Sequence, residues 1–244
     1  MPNATSPSAQ RHCVLSDRVE IMMNGDGWEM CAPIFVTFLI LFAMHLCFTA
    51  MESKRGRRFT KPFLMPLLLL LYLQEAEVVS SWVVLALIGG TLGDIFLLWP
   101  DDDRLFAAGL TSFLAGHVFY IIAILQTIDW SAGIPWWFWL AIIPYATCGW
   151  YSASKLAPGL GKMKVPANVY VVVITVMSLL TILRASSFSG WSFWLPFVGS
   201  LLFIASDSML SHHRFRAKMH DADLYIMATY VLAQLFLVVG LLMG

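Results

Sequence analysis

Residues 81–99 read SWVVLALIGGTLGDIFLLW, and this stretch decides the fold. A helix needs about 20 mostly apolar residues to cross a bilayer, and this run supplies almost that number. Asp94 is its single ionisable residue. The stretch is therefore read as a transmembrane helix carrying an acid close to one end. Outward from it, the same pattern recurs. Apolar spans are predicted over residues 31–51, 60–73, 81–99, 105–125, 134–150, 165–183, 191–210 and 224–243. The span over 60–73 is short and opens with Thr60-Lys61-Pro62. Residues 1–30 form a polar extension without the apolar core of a signal peptide, and residues 31–244 form one transmembrane domain. The expected fold class is all-α: a polytopic membrane protein of eight helices.

Composition agrees. Of 244 residues, 59% are hydrophobic and 12% are charged. Soluble domains carry roughly 25% charged residues. Mean hydropathy is +0.75. Lys+Arg and Asp+Glu each number 15, so no net field steers a polyanion to the surface. A soluble domain, a disordered chain and a nucleic-acid binder with a basic face are all excluded. Trp99, Trp130, Trp136, Trp150 and Trp191 stand at span ends, where amphipathic rings favour the membrane interface.

The basic residues orient the spans. Lys54, Arg55, Arg57, Arg58 and Lys61 separate the first two spans; Arg104 follows the third. Lys155, Lys162 and Lys164 follow the fifth; Arg214, Arg216 and Lys218 follow the seventh. Twelve of the 15 thus fall on one side, against Arg11, Arg18 and Arg184 on the other. By the positive-inside rule both termini lie on the non-cytoplasmic side, with the endoplasmic reticulum as the expected membrane. Asn3-Ala4-Thr5 matches a glycosylation acceptor on that side. Cys13 and Cys31 share it too, and without a spacing signature they are read as unpaired.

The third and seventh spans echo each other. One ends Gly93-Asp94-x-x-Leu97, the other Ser206-Asp207-x-x-Leu210. His117 follows Asp94 by 23 residues, and Tyr230 follows Asp207 by 23. An offset of four helices gives both halves one orientation, as in parallel repeats. Counted from Pro100 and His212, both acids lie roughly 8–9 Å inside the helix ends. Intramembrane acids face the bundle interior and usually mark function. Two carboxylates at one depth can share a proton, supplying an acid and a base to one site. The bland alternative is a pair of buried acids bonded to backbone, hydroxyls or Lys61.

Lys61 is the expected cation, snorkelling from its short span to the level of the acids. It would hold one Asp ionised, bind a substrate phosphate, or serve only as an interface lysine. His117 and Tyr120 lie one turn apart in the fourth span, as do Tyr230 and Gln234 in the eighth. They would line a polar cavity or merely bond helix to helix. Other chemistries lack their signatures: no Gly-x-Ser-x-Gly elbow, His-Glu-x-x-His, Cys-x-x-Cys, P-loop or dinucleotide fingerprint is present. His212, His213 and His220 read as a solvated turn rather than a metal site, and no metal is expected.

The set Thr60-Lys61-Pro62, Gly93-Asp94-x-x-Leu97, Gly116-His117-x-x-Tyr120, Pro166-x-x-x-Tyr170, Phe203-Ile204-x-Ser206-Asp207-Ser208 and Tyr230-x-x-x-Gln234 resembles the lysoplasmalogenase-like, YhhN-type integral membrane proteins. The likeness covers the second to eighth spans. It implies eight helices and hydrolysis of the vinyl ether bond of lysoplasmalogens, with ethanolamine or choline head groups, to a fatty aldehyde and a glycerophospho-base. Carried over by motif, Asp94 and Asp207 would be the catalytic acids. Lys61, His117, Tyr120, Tyr170, Tyr230 and Gln234 would bind substrate. The expected partners are a lysophospholipid, water and membrane lipids, with no nucleic acid and no cofactor. Two readings of other classes stand beside this one: a proton-coupled transporter of lipids or small solutes, and a noncatalytic lipid-binding protein.

Overall fold

The structure, a computed structural model, describes residues 28–99, 101–156 and 161–244. The glycosylation motif at Asn3, Cys13, Pro100 and most of the polar extension lie outside the described residues. Among the described residues there are eight α-helices and no strand. They are α1 (Trp28–Ala50), α2 (Lys54–Glu75), α3 (Ser81–Phe96), α4 (Asp103–Thr127), α5 (Trp136–Leu156), α6 (Lys164–Leu183), α7 (Trp191–Phe215) and α8 (Ala222–Leu242).

Five of them contain segments long and apolar enough to cross a membrane: Pro33–Ala50, Asp103–Thr127, Lys164–Ser186, Trp191–Phe215 and Ala222–Leu242. The protein is thus helical and membrane-embedded. Helix α3 is equally apolar but has 16 residues. Helix α2 is long enough, but its first turns are basic. Large apolar side chains such as Ile40, Trp139, Ile143 and Trp191 stay exposed, on a surface suited to lipid rather than water.

Two helix ends differ from the sequence reading. Helix α2 begins six residues before Thr60, at Lys54, because Ser53 caps it by accepting a hydrogen bond from the Gly56 amide at 3.3 Å. The helix is 22 residues long, and its added first turn is basic. Helix α7 runs on to Phe215, so His212 and His213 belong to a helix and not to a loop. This lengthening overturns the depth argument. Asp94 stands two residues from the end of α3, whereas Asp207 stands eight from the end of α7, about 12 Å at 1.5 Å per residue. A hydropathy count stops at the first charged residue. The α7 backbone continues because Arg214 folds onto Asp103 at 2.7 Å and over the Phe106 ring at 4.8 Å.

Two hairpins dominate the packing, α3 with α4 and α7 with α8. Small residues bring the first pair together. A Cβ at Gly89 would stand 3.0 Å from the Ser112 carbonyl, and one at Gly116 3.2 Å from that of Ala86. Close backbone approach of this kind is how transmembrane helices associate. Helix α8 is the most enclosed, with Val231, Ala233, Leu237 and Val238 fully buried against α7, α1 and α2. Helix α5 is the least attached. It packs on α6, touches α7 lightly and makes no substantial pairing with α4. Hydroxyls hold this part together: Tyr145 meets Ser178 at 2.8 Å, and Ser178 meets Ser200 at 2.7 Å.

The opposite end of the bundle is pinned by Arg184, just after α6. It is the largest fully buried side chain. Its guanidinium donates to Thr127 Oγ1 at 2.6 Å and to the carbonyls of Ser192 and Gly240, each at 3.2 Å. It also lies 4.4 Å over the Phe188 ring.

Candidate functional site

Both acids line one cavity of about 380 Å³. Helix α3 delivers Asp94 to it and α7 delivers Asp207. Its lining is charged in both senses: Lys54, Arg57, Arg58 and Lys61 of α2 are met by Asp101, Asp102 and Asp223, beside Trp99. Arg57 is ion-paired with Asp223, and Arg58 lies 5.9 Å over the Trp99 ring.

Asp94 is 1% exposed. Its Oδ2 accepts a hydrogen bond from the Tyr230 hydroxyl at 3.0 Å, and its Oδ1 faces the Lys61 ammonium at 3.5 Å. Lys61 therefore reaches the acid from the second helix. Asp207 has different neighbours. Its Oδ2 accepts from the Tyr170 hydroxyl at 2.8 Å. The His117 Nε2 stands 3.9 Å from the same oxygen, too far for a hydrogen bond. The tautomer of His117 follows from its other nitrogen. Nδ1 lies 2.8 Å from the Phe113 carbonyl, which can only accept, so Nδ1 carries a proton.

These contacts cross the echo noted in the sequence. His117 follows Asp94 by 23 residues yet faces Asp207. Tyr230 follows Asp207 by 23 residues yet bonds Asp94. Each hairpin thus supplies an acid on its first helix and a partner, on its second, for the other hairpin's acid. The spacing along the chain does not record this crossing.

The remaining expected residues form a layer beside the cavity. Tyr120 donates to Gln234 Oε1 at 2.6 Å; both are buried, and neither lines the cavity. Gly90 gives this layer its room, since a Cβ there would stand 3.0 Å from Gln234 Nε2 and 3.2 Å from the Tyr230 hydroxyl. Phe113 packs edge-on against Tyr230, and Phe203 against both Tyr230 and His117. Aromatic faces fix the orientation of the polar groups.

One residue escapes the sequence reading. His45 on α1 is 1% exposed and lines the same cavity. Thr60 donates to the Gly56 carbonyl at 2.9 Å, so its oxygen accepts from His45 Nδ1 at 2.7 Å. Nε2 is then an acceptor, buried and without a hydrogen-bond partner. A lone histidine on an apolar helix, with no partner at helical spacing, gave no signal. Its partner sits 15 residues away on the next helix. The arrangement offers two carboxylates of unlike surroundings, an ammonium, two tautomer-fixed imidazoles and two phenols. Among the described residues no group of three metal-binding side chains occurs.

The YhhN family model matches residues 56–241. Human lysoplasmalogenase TMEM86B is 28% identical over 158 residues, covering 64% of this chain and 62% of that protein. Its mouse counterpart is 29% identical over 164 residues, 67% of this chain and 65% of that one. A lysoplasmalogenase of Mycobacterium tuberculosis is 28% identical over 182 residues, 67% of this chain and 61% of the relative. The chain thus matches under two thirds of the length of these relatives. No solved structure matches it. The matched segment runs from Gly56, just ahead of Lys61, to Leu241 at the end of α8 and so takes in both acids and every hydrogen-bonded partner they have: the chain belongs to the YhhN family.

Proposed function

We propose that the protein is a membrane-embedded hydrolase that cleaves the vinyl ether bond of a lysoplasmalogen. The observation that carries this is the pair of carboxylates, Asp94 and Asp207, on one cavity that four basic side chains of α2 also line. The relatives' names supply the substrate class. The scheme needs no cofactor. A proton is added to the vinyl carbon next to the alkyl chain, leaving an oxocarbenium ion at the carbon bonded to oxygen. Water adds there and loses a proton, and the hemiacetal collapses to a fatty aldehyde and the glycerophospho-base. One water is consumed, and no oxidation state changes overall.

The two carboxylates divide the work by their neighbours. Asp94 faces the Lys61 ammonium and serves as the ionised member, stabilising the cation and taking the proton of the attacking water. Asp207 meets a phenol and an imidazole instead and serves as the acid. Tyr230 and Tyr170 hold the carboxylates in place. His117, Tyr120 and Gln234 back them from the buried layer, and Lys61 with the arginines of α2 takes the phosphate. The relevant membrane arrangement has eight spans, both termini on the non-cytoplasmic side and the cavity mouth toward the cytoplasm, in the endoplasmic reticulum. The clustering of Lys54, Arg57 and Arg58 on its lining supports the orientation.

The test is direct. Purified protein incubated with an alkenyl lysophospholipid should release free aldehyde, and the saturated ether analogue should release none. Absence of aldehyde from folded protein would overturn the reading.

A further inference from the structure

A second cavity, of about 190 Å³, lies between α4, α5, α6 and α7. Asp207 and Leu210 line both cavities, so the acid of α7 stands where the two meet. Their linings differ in kind. The first is lined by four basic side chains and five aspartates. Among the described residues, the wall of the second has no lysine, arginine, glutamate or histidine; beyond Asp207 its polar groups are hydroxyls and the Cys148 thiol. It also runs along α4 and α5, which make no substantial pairing with each other. Trp139, Leu140 and Ile143 leave α5 with an exposed apolar surface of the kind that suits lipid.

We propose that this second cavity binds the hydrocarbon chain of the substrate, entered sideways from the bilayer between α4 and α5. The inference rests on the reading of the protein as a vinyl ether hydrolase and gives that site its chain-binding half. The polarity split fits a single-chain lipid: phosphate and glycerol in the charged cavity, alkyl chain in the apolar one, reacting bond at their junction. The order of atoms fits as well. The carbon that takes the proton is the one attached to the alkyl chain, and Asp207 borders the chain side. The carbon that takes water is attached to the glycerol oxygen, and Asp94 lines only the head-group side. A route straight inward from the first cavity is filled, because Phe203, His117 and Tyr170 pack ring against ring there.

Gly149 and Cys148 on α5 make the idea testable. A Cβ at Gly149 would meet Val171 Cγ1 at 3.7 Å and Thr175 Oγ1 at 3.9 Å, ordinary contacts, so a larger side chain enters the cavity without striking backbone. Gly149→Leu should lower kcat/KM for long-chain alkenyl lysolipids by about tenfold or more while leaving short-chain ones nearly unchanged. An unchanged chain-length profile, or an equal loss at all lengths, would overturn the proposal. A second measurement needs no turnover. In the full-length protein, a saturated long-chain ether lysophospholipid should slow maleimide labelling of Cys148, an exposed thiol of this wall, and not that of Cys47. Equal labelling of Cys148 with and without that lipid would overturn it. If instead Cys148 is protected but no aldehyde is ever formed, chain binding stands and the hydrolase reading falls.

Discussion

The two ends of the bundle both bury charge, and they treat it in opposite ways. At one end Arg184 gives its terminal nitrogens to Thr127, Ser192 and Gly240 and its flat face to Phe188; only its Nε lacks an acceptor, and it lines neither cavity. At the other end Asp94 and Asp207 line a cavity, and Asp94 Oδ1 has no hydrogen-bond partner there, only the Lys61 ammonium at 3.5 Å. A buried charge surrounded by backbone carbonyls is a staple, because desolvation is offset by fixed dipoles. A buried charge beside a cavity is available to a ligand. Burial alone does not separate the two; what faces the unused lone pair does.

Substitutions at the two ends should therefore fail in different assays. Asp94→Asn and Asp207→Asn are expected to cut turnover by about 10²–10⁴-fold each, with thermal unfolding in detergent little changed. Wild-type rates of aldehyde release from either variant would remove that residue from the chemistry. Arg184→Leu should do the converse. It strands a hydroxyl and two carbonyls, at a cost of roughly 3 kcal/mol or more in stability, while folded molecules keep their specific activity. A loss of activity in protein of unchanged melting temperature would erase the contrast.

Smaller effects sharpen it. Lys61→Ala should raise KM by about tenfold if the ammonium holds the phosphate, and lower kcat instead if its main duty is to Asp94. Steady-state kinetics on purified variants separates these. Tyr230→Phe deletes one hydrogen bond to Asp94, for which a drop of about three- to tenfold in kcat is expected. The same substitution at Tyr225, which is exposed and lines neither cavity, should leave kcat unchanged.

Much of this was legible in residue order. Hydropathy marks all eight helices, since lipid-facing apolar runs are continuous and the breaks between them are polar. The two acids and Lys61 stand out because ionisable groups in such runs are scarce. What stayed hidden depends on contacts between helices. His45 gains meaning only through Thr60 on the neighbouring helix. Arg184 reads as a loop residue and is a core one. The exchange of His117 and Tyr230 between acids is a property of how two hairpins lie together, which no spacing along one chain records. The end of α7 was misplaced because Arg214 has a partner, Asp103, in a distant segment.

The seam between α3 and α4 has a consequence for inheritance. Gly89, Gly90, Gly93 and Gly116 carry no chemistry, yet each occupies a point where any added carbon meets backbone or a fixed ring or amide. A saturation map of this chain should therefore show a helical band of intolerance along α3 as deep as that at the acids themselves, composed of residues that touch no substrate. Damage scored by fitness alone would mark the band as part of the active site. Only protein abundance, measured beside activity, would reveal it as the hinge pin that keeps Asp94 and His117 in one rigid piece.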